Sequence, residues 1–430
     1  MQMTGFNRQK TGSRAIGLLS GMALGAIGLS QAPEATAGAT FKIDDTKWVS
    51  VGAGLRTSFR AQESAAGAGA EKWSNDFNLD NIRLYINGQI HKYLKVEFNT
   101  DCQTCGNGGE VRVLDAIGKF EVNPYANLWV GRMLVPAERR EMNGPFYSAV
   151  YNIFSAGTPF EPSDYNLVIK SDGTSAGSFG RDDGVTFWGA AFDGRLQYAA
   201  GFFRGLRGGA NVDHNILYGQ RVAYNFWEVE KNPGYYTSGT YYGKGGDILT
   251  VGISNQYQED GAGRGFTAAS GADPAIPAAA GSFRGTTVDL LMEKVLPGGG
   301  VVTFNGEYKN YGISGNAYNQ SVRDSEGTDR STQFSMFEGN AYDVSGMYLF
   351  PQKIGIGQFQ PFLRYVNVSP STSSTREVYE AGVNYIIDGH NAKIFASYQY
   401  GDLLTKGINY KSTATGDDVS QMMVGFQWQI

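Results

Sequence analysis

The sequence predicts an all-β fold: a transmembrane antiparallel up-and-down β-barrel, most simply of sixteen strands, with fourteen or eighteen as alternatives. Three observations lead there. Short segments of alternating apolar and polar residues recur along the chain, the period of strands with two unlike faces. The connections alternate between short and long, as they do when periplasmic turns oppose extracellular loops. Composition agrees, because 59 glycines, 25 tyrosines and 25 phenylalanines accompany only 41% hydrophobic residues, which suits a wall where alternate residues face lipid.

Residues 1–37 read as a signal peptide. Arg8, Lys10 and Arg14 form a positive start, 15–29 is apolar, and a small-residue cleavage pattern ends at Ala37. A membrane anchor needs roughly 20 apolar residues; this stretch is shorter and carries four glycines. The barrel is assigned to 38–430. Without the signal, 36 basic and 41 acidic residues become 33 and 40, a net charge of −7, which disfavours a nucleic-acid partner.

The first strand is placed at 48–59, with Val49, Val51 and Leu55 on one face and Ser50, Arg56 and Ser58 on the other. The second, 77–90, sends Ile82, Leu84 and Ile86 outward and Arg83, Tyr85 and Asn87 inward. In the third, 93–100, Leu94, Val96 and Phe98 alternate with Lys95, Glu97 and Asn99. Burying such charges in a dry core is costly, and a wet lumen removes the problem. Strands at 111–122, 125–134, 184–192 and 195–204 follow, with Asn123-Pro124 and Asp193-Gly194 as turn signals. Next come 217–228, 247–258, 286–294 and 301–309, then 341–350, 357–367, 377–387, 392–400 and 419–430. Alternation in the last strand runs through Val424, Phe426 and Trp428 to the final residue.

Long loops are expected at 60–76, 101–110, 135–183, 205–216, 259–285, 310–340, 368–376 and 401–418. On the opposite side one connection breaks the pattern. Residues 229–246 carry Asn232-Pro233-Gly234 and paired tyrosines where a short turn belongs. A misplaced strand boundary or an extra strand pair is the expected explanation.

Four segments occur in order: Arg83-Leu-Tyr-Ile-Asn-Gly88, Gly131-Arg-Met-Leu-Val-Pro136, Gly180-Arg-Asp-Asp-Gly-Val185 and Tyr198-Ala-Ala-Gly-Phe-Phe-Arg-Gly205. Together they resemble the phosphate-selective porins of the O and P type. The resemblance implies a sixteen-stranded barrel, a homotrimer, a third loop folded into the lumen, and a lumenal arginine ladder with a lysine cluster attracting anions such as phosphate. The longest loop, 135–183, stands in the third position, but no dense basic set matches the ladder.

That loop is the leading candidate site. Arg132, Glu138, Arg139, Arg140 and Glu141 form a mixed-charge cluster beside Pro136 and Pro145. Opposed charges at a constriction set up a transverse field that sorts solutes; the bland alternative is a solvated outer loop. The run 146–154 is apolar enough to pack against the wall. Inward parity also nominates Arg83, Lys95, Arg221, Lys309, Arg364 and Lys393, with Asp289, Glu293, Glu307 and Glu380, as lumen lining. Cys102 and Cys105 are expected to form a small loop disulfide in an oxidising compartment. His91, His214 and His390 are scattered, so no metal site is expected. Glycine follows Cys105, which excludes a c-type haem attachment there. No cofactor is expected, and no nucleophile-and-base arrangement marks the chain as an enzyme.

The expected role is a passive bacterial outer-membrane channel for small hydrophilic solutes or ions. Two alternatives are a barrel sleeve around a periplasmic multihaem cytochrome, and a plugged surface scaffold or adhesin binding through 259–285 and 310–340. The expected surroundings are outer-membrane lipid and lipopolysaccharide.

Overall fold

A computed structural model of the chain describes residues 38–102, 111–152, 180–205, 211, 213–264, 279–314, 339–371, 374–403 and 418–430. The expected signal peptide lies outside these residues. So do Cys105, most of the loops at 259–285 and 310–340, and 153–179 of the third loop.

Seventeen strands are present among the described residues. A short β1 (Ala39–Lys42) precedes β2 (Trp48–Gln62), β3 (Asp76–His91), β4 (Leu94–Cys102), β5 (Arg112–Asn123) and β6 (Ala126–Leu134). A one-turn helix α1 (Arg139–Asn143) follows, then β7 (Arg181–Ala191), β8 (Leu196–Phe203) and β9 (Leu217–Asn225). The remainder are β10 (Ile248–Arg264), β11 (Ala279–Val295), β12 (Val301–Ser314), β13 (Gly339–Leu349), β14 (Gln358–Pro370), β15 (Arg376–Asp388), β16 (Ala392–Gly401) and β17 (Val419–Gln429). From β2 onward each strand pairs antiparallel with the next. β17 returns to β2, from Gln421 against Gln62 to Gln429 against Gly54, and closes a sixteen-stranded barrel. Fourteen and eighteen strands are thereby excluded. β1 pairs with Trp48–Val51 of β2, beside the strand edge that β17 stops short of covering.

Each predicted strand overlaps an observed one. The largest boundary errors are in one hairpin: β11 begins at Ala279, well before 286, and β10 runs on to Arg264 past a register shift between Gln258 and Ala262. A bulge interrupts side-chain alternation but not backbone pairing, so the alternation ended before the strand did.

The period-two pattern separates two environments. On β17 Met422, Val424 and Trp428 face out while Gln421, Gln427 and Gln429 are buried. On β9 Tyr218, Val222 and Tyr224 face out while Arg221 and Asn225 are buried. A one-residue slip would turn every such amide and charge to the lipid side, where a cation costs about 2–4 kcal/mol near mid-membrane. Outward tyrosines align across strands towards the long-loop end: Tyr218 with Tyr257, Tyr308 with Tyr342, Tyr379 with Tyr400. Tyr125, Phe192, Phe226 and Phe350 are exposed at the short-turn end. These are the two aromatic girdles of a membrane barrel.

The packed core lies inside the barrel. Trp129, Met133 and Leu134 of β6, Phe203 of β8 and Leu217 of β9 cluster with Val135, Ala137, Met142 and Tyr235, which belong to connections. Residues 135–152 of the third loop and the segment 226–247 both fold into the lumen. The exceptional turn therefore contains no extra strand pair.

Candidate functional site

The described start of the third loop, 135–152, leaves β6 and follows the inner wall from β9 round to β2. Arg221 donates to the Ala137 carbonyl (3.1 Å), and Gln256 to that of Pro136 (3.3 Å). Further on, Asn384 donates to the Ala149 carbonyl (3.1 Å), Lys393 to Ser148 (2.9 Å), Gln427 to Phe146 (2.8 Å) and Arg364 to Asn152 (3.0 Å). Arg56 does the same for Tyr151. Irregular backbone at membrane depth must find partners inside the protein, and inward amides and cations from successive strands supply them. The apolar expectation for 146–154 holds in its described part: Phe146, Ala149, Val150 and Tyr151 are buried, and Tyr151 stacks on Phe395 at 3.9 Å.

Four of the five residues assigned to the constriction come together here, and Glu138, Arg139 and Arg140 reach partners on the wall and on the segment 226–247. The Arg139 guanidinium forms a two-pronged pair with Glu230 (2.7 and 2.6 Å), lies 3.4 Å from Asp289 and donates to the Ser238 carbonyl. Arg140 pairs with Asp343 (2.6 Å) and Glu307 (3.3 Å), and Glu138 with Lys309 (2.6 Å). Glu141 is buried in α1. Burial alone would raise the Glu230 carboxyl, yet the adjoining Arg139 holds it below its ordinary value. Charges so deeply paired act as latches for the loop, not as an open transverse field. Arg132 is not brought in. It shares the outer face with Val130 and pairs with Asp183 (3.4 Å) near the long-loop rim.

The nominated lining residues lie on the inward rows, where most are tied up. Arg83 pairs with Asp101 (3.0 Å), Lys95 with Glu121 (2.9 Å), Arg221 with Asp289, and Arg364 with Asp343 (2.6 Å) and Glu380 (3.3 Å). Glu293 receives the Thr240 hydroxyl (2.7 Å) and the backbone N–H groups of Tyr241 (3.0 Å) and Gly243 (2.6 Å). It thereby anchors the segment that sequence reasoning left unexplained.

That segment, 226–247, rises from the short-turn end. Gly234 has φ +59° and sits against the Trp129 ring, where an added Cβ would lie 2.4 Å from Cη2. Tyr235 and Tyr236 pack on Trp129 at 5.1 and 5.4 Å between ring centres. Gly239 donates its N–H to the Tyr147 carbonyl (2.9 Å), and a Cβ there would lie 2.6 Å from the Ala149 nitrogen. The third loop and this segment thus meet backbone to backbone inside the barrel. The signal in the sequence was the excess length, the paired tyrosines and the glycines that permit close approach. His390, in the turn between β15 and β16, sits between Tyr147 and Tyr242, with Nε2 2.9 Å from the Thr240 carbonyl. Burial pushes its imidazole down to about 3, with Lys393 and Lys244 adding to the shift. Cys102 is disulfide-bonded.

Among the described residues, space is left beside these two segments along β3–β7. A cavity of about 360 Å³ runs from Leu134 and Arg181 towards the long-loop end to Asp388 and Asn391 at the short-turn end.

No family model matches the chain, and no curated protein matches it. Solved structures do. An anion-selective porin from Comamonas acidovorans shares 12% identity at a TM-score of 0.55, over 89% of this chain and all of that one. Salmonella typhi OmpF, solved with daunomycin, shares 12% at 0.50, over 91% of this chain and all of its own. The fold is that of the outer-membrane porins. OmpT of Vibrio cholerae, also solved in a trimer form, shares 13% at 0.50, over 90% of this chain and all of that one. Its presence corrects the expectation that the chain is no enzyme. Likeness of fold at 13% identity does not exclude catalysis.

Proposed function

We propose that the chain is a porin-type passive channel of the bacterial outer membrane, admitting small hydrophilic solutes along the β3–β7 side of its lumen. The supporting observation is the elongated cavity inside a closed barrel, narrowed by two segments of the same chain and reaching the short-turn end. Most of the basic side chains along it are paired, while Lys231 and Lys244 on the lining are exposed to water. Arg83 meets Asp101, Lys119 meets Glu97 (2.5 Å) and Arg181 meets Asp115 (2.8 Å). A field made of close pairs falls off quickly with distance, so the channel discriminates weakly between small cations and anions. The phosphate selectivity that the family resemblance implies finds no unpaired arginine ladder among these residues. A homotrimer is part of the proposal, supported by the trimer form of OmpT. A sleeve for a cytochrome is disfavoured because the chain's own segments occupy the cross-section.

Planar-bilayer recording of the purified protein tests this. Stepwise openings with a reversal potential near zero in a KCl gradient are expected. A strongly anion-biased reversal with block by phosphate would overturn the weak-selectivity reading, and absence of steps from folded protein would overturn the channel.

A further inference from the structure

The cavity along β3–β7 carries ring faces and paired charges in one place. Resting on the channel reading above, we propose that it is a recognition subsite for a neutral saccharide. Tyr85 and Tyr147 border it from the wall and the third loop, Tyr236 and Tyr241 from the inward segment, and all four are partly exposed. The Tyr236 hydroxyl is itself buried, so what that residue presents is ring carbon. The Tyr241 hydroxyl is engaged by Glu230 (2.7 Å) and Asn232 (2.6 Å), which again leaves the ring. Ring faces suit the C–H faces of a sugar, much as they suit other apolar surfaces.

The charged wall decides what kind of solute fits. Arg83, Lys119 and Arg181 are each held by a carboxylate, and an anion at them would have to displace it from a buried pair, which is strongly unfavourable. Lys231 and Lys244, also on the lining, are exposed to water, which screens their pull on an anion. An apolar solute would strip water from those pairs and return nothing. Hydroxyl groups both donate and accept, and a carboxylate bound to one cation keeps lone pairs for further donors. A neutral polyhydroxylated molecule therefore satisfies wall and rings together. At about 360 Å³, the space lies at the small end of ligand cavities, suited to one or two sugar rings at a time.

The test is single-channel current in KCl with three additives: a linear glucose trisaccharide, a polyethylene glycol of matched hydrodynamic radius, and inorganic phosphate. Concentration-dependent interruption by the trisaccharide, exceeding that by the polymer, is expected. Tyr236→Leu should raise the half-blocking concentration about fivefold, while Tyr236→Phe, which removes only the buried hydroxyl, should retain the block. Heat-modifiable migration of each variant shows that its barrel has folded. Equal block by polymer and sugar, block by phosphate alone, or unchanged block in Tyr236→Leu would overturn the subsite and leave the channel intact. Absence of steps in the unmodified protein would overturn both.

Discussion

Arg139 shows why a charge cluster legible in the sequence is not yet a function. Its type and its place in the third loop were readable, but its partners, Glu230 and Asp289, lie 91 and 150 residues further along and no local pattern links them. Breaking a buried pair leaves an uncompensated charge and costs about 3–5 kcal/mol. Arg139→Gln should therefore release 226–247, and trypsin should cut at the exposed Lys231 faster in folded protein than in the unmodified chain. Unchanged cleavage would deny the latch. Gly239 makes a second residue-scale case. Because its Cα stands where a side chain would strike the Ala149 backbone, Gly239→Val should part the loop from the segment and raise single-channel conductance, with folding of the barrel retained.

At the scale of elements, the sixteen strands were legible because alternation is a local signal that the pleat imposes on every strand. The third loop's inward course came from the family resemblance and the loop's length. The inward segment was not legible, since a long turn of tyrosines and glycines fits a misplaced strand boundary or an extra strand pair equally well. Contacts such as Gly239 to Tyr147 and Glu293 to Tyr241 join residues far apart in the chain, so no local pattern announces them. His390 ties this segment to the β15–β16 turn, and its depressed pKa has a definite sign. The unfolded or undocked imidazole takes up a proton near pH 6.5, whereas the docked ring stays neutral until about 3. Docking is thus fully stabilised above about pH 6.5 and weakens as pH falls from there towards 3. Conductance recorded from pH 7.5 down to 5 should rise or become noisier, and His390→Gln should flatten that response; a response unchanged in the variant would assign the effect elsewhere.

For the whole molecule, the outer belt of exposed apolar and aromatic residues and the inner rows of paired charges are two consequences of one alternation. Lipid excludes charges on one face, and the lumen accepts them on the other. The lumen is also where the protein keeps its packed core, so aperture and internal stability are coupled. Whatever loosens the two inward segments should widen the path before it unfolds the barrel.

Aperture can be measured directly. The Glu228 N–H donates to the Asp247 carbonyl at 3.0 Å, so a two-residue Asn-Gly turn in place of 229–246 would close the β9–β10 hairpin with its pairing intact. Single-channel conductance of this variant should exceed that of the unmodified protein by at least about twofold, because a constriction governs flow through the whole pore. Equal conductance from the two proteins, both folded, would contradict the claim that the chain narrows its own channel.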